Sequence, residues 1–98
     1  MNMQSLMMQA KKMQKDMEKA QKELEEKVYT GKSQFVSVTL SGANKLTSVK
    51  IDMNEISSDD KEMIEDMLLL AVNDAINQME KDKEEKFGKY GQMFNGLM

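Results

Sequence analysis

The sequence predicts an α+β subunit of order α-β(2–3)-α, with a small antiparallel sheet between two long helices. Three observations predict it. From Met3 onward, apolar residues recur at alternating spacings of three and four, the period of one helix face. "FVSVTL" from Phe35 and "LTSVKID" from Leu46 alternate apolar and polar residues with the period of a strand. A second, broader apolar helical pattern then runs from Met63 to Met79.

The first helix is expected over about residues 2–27. Its seam is Met3, Leu6, Ala10, Met13, Met17, Ala20 and Leu24, unbroken for three heptads. Ala, Gln, Lys, Glu and Met are good helix formers, and neither Gly nor Pro interrupts them. Some 25 residues make a helix of about 38 Å, whereas a compact chain of this length has a radius of gyration of about 13 Å. The helix must therefore project beyond its own domain. Its seam then needs another chain, which predicts a homodimer with a coiled-coil contact.

Gly31 and its polar neighbours end the helical pattern. Strands are expected within about residues 27–53, the first of them short, near Lys27 to Thr30. In the next, Val36, Val38 and Leu40 share one face and Phe35, Ser37 and Thr39 the other. "SGANK" is a turn by composition, after which Thr47, Val49 and Ile51 stand against Leu46, Ser48 and Lys50. Two or three short strands are marginal alone and need a helix or a partner sheet over their apolar face.

Ser58 or Asp59 can cap the second helix, expected over about residues 58–87, with Glu62 at the capping-box position after Asp59. Met63, Ile64, Met67, Leu68, Ala71, Val72, Ala75, Ile76 and Met79 suit packing on the hairpin. Leu69 and Leu70 widen that face toward a second subunit. "EKDKEEK" (80–86) is wholly charged, and the glycine-bearing segment 88–98 is expected as a flexible tail. Residues 1–87 then form a single domain.

Composition excludes much chemistry. The 98-residue chain has no cysteine and no histidine, so disulfides, thiolate sites and the commonest general base and metal ligand are absent. No run reaches the 18 apolar residues of a membrane span, and no secretory signal is visible, so a cytoplasmic protein is the default. The net charge of −3 argues mildly against a polyanionic partner, but the charge is segregated. Residues 11–22 hold five lysines against Asp16 and Glu18, while residues 52–66 hold seven acids against Lys61 alone.

Each motif has a plain reading. "GKS" at Gly31 lacks the glycine five residues earlier that a phosphate loop requires; Glu26 stands there. "DMNEISSDD" puts Ile56 and Ser57 where a calcium loop needs a ligand and a glycine. Asp59, Asp60, Glu62, Glu65 and Asp66 read as charges favouring the positive end of a helix rather than as catalytic carboxylates. No catalytic, metal or cofactor-binding set, and hence no small-molecule substrate, is expected. The twelve methionines read first as seam packing. With Met3 at heptad position a, Lys11, Lys12, Lys15, Lys19 and Lys22 fall at b, c, f, c and f, away from the seam. A coiled coil needs a polar back, and a solvated face is the plainer reading of these lysines. The later clustering of Glu23, Glu25 and Glu26, however, leaves the first half of the helix basic, which suits a phosphate backbone.

"NMQSLMMQAKKMQKDMEKAQKELEEK", then "VSVTLSG" and "VKID", then "DKEMIEDMLLLAVNDA" together resemble the YbaB/EbfC family of bacterial nucleoid-associated proteins, over roughly residues 2–79. The sequence departs from the family pattern at Met53, where a proline often follows "ID", and in a tail without proline. The resemblance implies a three-stranded sheet, a tweezer-like homodimer with projecting helices, and binding of duplex DNA in the bacterial nucleoid. The DNA-binding residues it implies are Lys11, Lys12, Lys15, Lys19 and Lys22. With no arginine in the chain, the commonest bidentate guanine contact is missing, and low sequence preference is expected. The competing class is a protein-interaction module, such as a prefoldin-like chaperone subunit or a scaffold.

Overall fold

The computed structural model describes residues 2–97, with side chains through Gly88. Helix α1 spans Met3–Glu26, and its cap is Asn2, whose Oδ1 accepts from the Gln4 N–H at 3.0 Å. Strands β1 (Val28–Ser33), β2 (Val36–Ser41) and β3 (Leu46–Ile51) form one antiparallel sheet in that order, so the α+β prediction holds with three strands. A short 3-10 turn, Ser58–Asp60, leads into α2, Lys61–Leu97.

The central strand explains the core. Val36, Val38 and Leu40 are buried, Val36 fully, while Ser37 and Thr39 face the other side. Met67, Ala71, Ala75 and Met79 meet them, spaced four apart along one stripe of α2. Gly31 sits within β1 rather than in a break before the sheet. A Cβ there would lie 1.9 Å from the carbonyl oxygen of Ala71, so glycine below and alanine above let helix and strand approach closely. α2 also covers the edge of β1. Asp74 accepts from the Lys32 backbone N–H at 3.1 Å, and Gln78 donates to the Thr30 carbonyl at 2.9 Å.

Four local expectations change. The first strand runs on through Ser33, paired across a two-residue turn in which Gln34 takes φ 48°. The sheet carries a bulge between Thr39 and Leu40, which puts Leu46 opposite Leu40 while Val49 and Ile51 still pair with Val38 and Val36. Thr47 therefore leaves the set it was expected to share with Val49 and Ile51, and its hydroxyl donates to the Thr39 carbonyl. A capping box closes the 3-10 turn one residue before Ser58, where the Asp60 carboxylate accepts from the Ser57 N–H at 3.0 Å. Finally, α2 continues past the expected end near residue 87 to Leu97. The side chains of the segment expected as a tail lie outside the described residues beyond Gly88.

The molecule is long and thin, with extents of 70 × 22 × 13 Å and a radius of gyration of 19.9 Å. That radius is well above the roughly 13 Å of a compact chain of this length, as a projecting helix requires. Among the described residues, no helix is long and apolar enough to cross a membrane.

Candidate nucleic-acid interface

The candidate interface is α1. Leu24, near its C-terminal end, is its one buried residue, at 3% exposure. Met13, Met17 and Ala20 are half-buried, while Met3, Leu6 and Ala10 are exposed, Met3 at 77%. Most of the expected seam is therefore uncovered within the chain, and Ala10, Met13 and Met17 line a shallow groove along the helix. Leu24 belongs elsewhere. It was expected on the dimer seam, but it enters the chain's own core with Tyr29, Val36 and Met79 and so anchors α1 to the body.

All five lysines, Lys11, Lys12, Lys15, Lys19 and Lys22, are exposed. Asp16, Glu23 and Glu26 follow Lys12, Lys19 and Lys22 at the helical spacing of four. Yet none of the five lysines forms an ion pair among the described residues. Glu18 and Glu25 instead accept weakly from Gln14 and Gln21, at 3.5 and 3.4 Å. Helix stability does not explain this arrangement, because the last turn of α1 carries acids and no base, the unfavourable sign for the negative end of a helix.

Lys27 differs from these five. Its Nζ donates to Asp82 Oδ2 at 2.8 Å, and the same oxygen accepts from the Tyr29 hydroxyl. Hydrogen bonds from Lys27 and then Tyr29 hold the Asp82 carboxyl below its usual range. Burial first, then Asp82, pushes the Tyr29 hydroxyl up to about 12. Nothing in the sequence marked Tyr29 or Asp82, since they meet only through the packing of α2 on β1.

Elsewhere, Asp59, Glu62 and Asp66 line an open cleft with Ser33 and Gln34. Among the described residues, no group of three or more potential ligands is placed to hold a metal ion. α2 packs over β1 and β2 and leaves β3 uncovered, so Leu46, Val49 and Ile51 are exposed together with Leu69 and Leu70 of α2.

Fold and arm define a class: an α-β-α chain with a long projecting helix, apolar along one side and lysine-rich along the other. The model of the YbaB/EbfC DNA-binding family matches residues 1–94, and the chain belongs to this family. Similar proteins that carry the name nucleoid-associated protein include the following two. One, from Ligilactobacillus salivarius, is 41% identical over 99% of this chain and 95% of its own. The other, from Lactococcus lactis subsp. cremoris, is 45% identical over 92% of this chain and 93% of its own. The crystal structure of uncharacterized protein HP0035 from Helicobacter pylori matches with a TM-score of 0.68 at 25% identity, covering 100% of this chain and 99% of that one.

Proposed function

We propose that the chain acts without catalysis as a homodimeric, nucleoid-associated protein of the bacterial nucleoid. It binds duplex DNA with little sequence preference through Lys11, Lys12, Lys15, Lys19 and Lys22. The carrying observation is that these five lysines are exposed on one projecting helix and, among the described residues, form no ion pair. Membership of a DNA-binding family supports the partner, and the names of the relatives support the nucleoid. Lysine meets phosphate as a point charge and carries no base information, which is the physical basis of low specificity. The exposed seam of α1, with the uncovered apolar residues of β3 and α2, supports the homodimer. The competing module for unfolded clients has no such support from the family.

The test is a DNA-binding titration against salt. If about four to six lysines of a dimer reach phosphates, log K should fall against log salt with a slope of about −4 to −5. Between about 50 and 200 mM salt the affinity then drops several hundred-fold. Replacing Lys12, Lys15 and Lys19 by alanine should flatten the slope and weaken unrelated duplexes about equally, leaving the dimer intact. A triple variant that binds like the parent would reduce these lysines to a solvated face. Protection of a denatured protein, without DNA binding, would instead favour the client-binding module.

A further inference from the structure

The direction of the arm is set at one joint. Lys27 alone separates α1 from β1, and its backbone is extended, with φ −72° and ψ 153°. Three contacts converge there. Leu24 is sunk in the core beneath the last turn of α1. Gly42, in the turn between β2 and β3, is seated directly against that turn. A Cβ on it would lie 1.6 Å from the Leu24 carbonyl oxygen and 2.5 Å from the carbonyl carbon. Its N–H donates to the Lys27 carbonyl at 3.0 Å, and its φ is not positive, so glycine is required here for space rather than for backbone conformation. The third contact is the Lys27 ammonium on Asp82, which also takes the Tyr29 hydroxyl. Asp82 lies on α2, so the second helix holds the root of the first.

Leverage makes this joint matter. Lys11 lies about 22 Å along the helix from its end at Glu26, at 1.5 Å per residue. A swing of about 10° at the root displaces it by about 4 Å, more than the length of a hydrogen bond. A swinging arm would have to be ordered each time its lysines met a set of phosphates, and that ordering weakens binding.

We propose that the Gly42 seat and the Lys27–Asp82–Tyr29 cluster hold α1 at one angle, so that Gly42 and Asp82 are positioning residues for DNA binding. The DNA part of this inference rests on the function proposed above; the holding of the arm does not. Neither residue needs to touch DNA.

The chain has no cysteine, so two introduced cysteines can be labelled cleanly. Spin labels at Gln4→Cys on the arm and Asn77→Cys on α2, in chains diluted with unlabelled protein, give the distance between arm and body within one chain. The parent should give one narrow distribution. Asp82→Ala should broaden it, and Gly42→Ala should shift its mean. Both should lower affinity for a duplex about three- to tenfold, the scale of lost preorganisation, with the salt slope unchanged because every lysine remains. Asp82→Asn keeps an acceptor for Lys27 and Tyr29 and should fall between the parent and Asp82→Ala in both readouts. Should Gly42→Ala fail to fold, as circular dichroism would report, the two Asp82 variants carry the test. Parent-like distances in Asp82→Ala would overturn the inference, and broadened distances with parental affinity would overturn its bearing on DNA. If the parent itself shows no salt-dependent DNA binding, the lysine reading has failed, and the distances still report on the joint.

Discussion

A Cβ on Gly31 would meet backbone atoms of α2, the Ala71 carbonyl oxygen at 1.9 Å and the Ala75 nitrogen at 2.7 Å. Backbone cannot turn aside as a flexible side chain can, so Gly31→Ala must push the helix off the sheet. The expected loss is roughly 2–3 kcal/mol of stability, as for other overpacked cores, measured by urea unfolding; an unchanged midpoint would refute the close approach. Tyr29 shows a residue-scale effect of a different kind. Its hydroxyl is raised from the usual 10.0 to about 12 in the folded chain. The unfolded chain therefore loses this proton first as pH rises, so the stabilisation is complete below about pH 10 and disappears between about 10 and 12. Asp82 has the opposite sign. Its carboxyl is lowered, so its contribution is present above the ordinary carboxylate range and fades as pH falls through its lower folded value. Tyr29→Phe should remove the part of the alkaline loss that belongs to this hydroxyl. The check is the difference between the unfolding curves of variant and parent from pH 9 to 12, and parallel curves would count against it.

At the scale of the element, α1 serves two sides of the molecule. Its last turn is fixed in the core by Leu24, whereas Met3, Leu6 and Ala10 are exposed. Substitutions along one seam should therefore have two different outcomes. Leu6→Asp or Met17→Asp puts a charge into the proposed interchain seam at a cost of several kcal/mol, so the dimer should weaken while the subunit keeps its helix content. Leu24→Ala should cost about 2–5 kcal/mol of subunit stability instead, because it opens a cavity in the core. Sedimentation and circular dichroism on the same samples separate the two. Dissociation of the dimer by Leu24→Ala alone, with Leu6→Asp silent, would contradict the division. The heptad pattern was legible because the helical period is local. Where that pattern ceases to face outward and begins to serve the chain's own sheet was not legible, because Leu24 carries no mark that sets it apart from Met17.

For the molecule as a whole, the radius of gyration of 19.9 Å describes a body from which a helix extends rather than a sphere. Such a shape leaves much apolar surface on a single chain, with Leu46, Val49, Ile51, Leu69 and Leu70 exposed besides the seam. Monomeric proteins rarely leave large contiguous apolar areas open. Sedimentation equilibrium at micromolar concentration should give about twice 11.2 kDa. A stable monomer would mean that these surfaces are covered in some other way. Charge is divided on the same scale: the arm carries five exposed lysines, and the acids of residues 52–66 lie about the start of α2. A net charge of −3 thus coexists with a locally basic arm.

Hydrophobic period, turn composition and charge along the chain were enough to establish the order helix, strands, helix, the inward face of β2, the apolar stripe of α2 and the outward placing of five lysines. Each of these depends on residues a few positions apart, and a period of two or of 3.6 is visible over such distances. The extension of β1 through Gly31, the bulge at Thr39, the cap at Ser57 and the joint of Gly42, Lys27, Tyr29 and Asp82 depend on something else. They follow from which distant backbone or side chain occupies the neighbouring space, as where Tyr29 meets Asp82 across 53 positions. Gly31 read as a helix breaker because glycine is a poor helix former, and it is found in a strand because α2 leaves no room there for a Cβ. The lysines were readable one by one, but the angle at which the arm presents them comes from packing at its root.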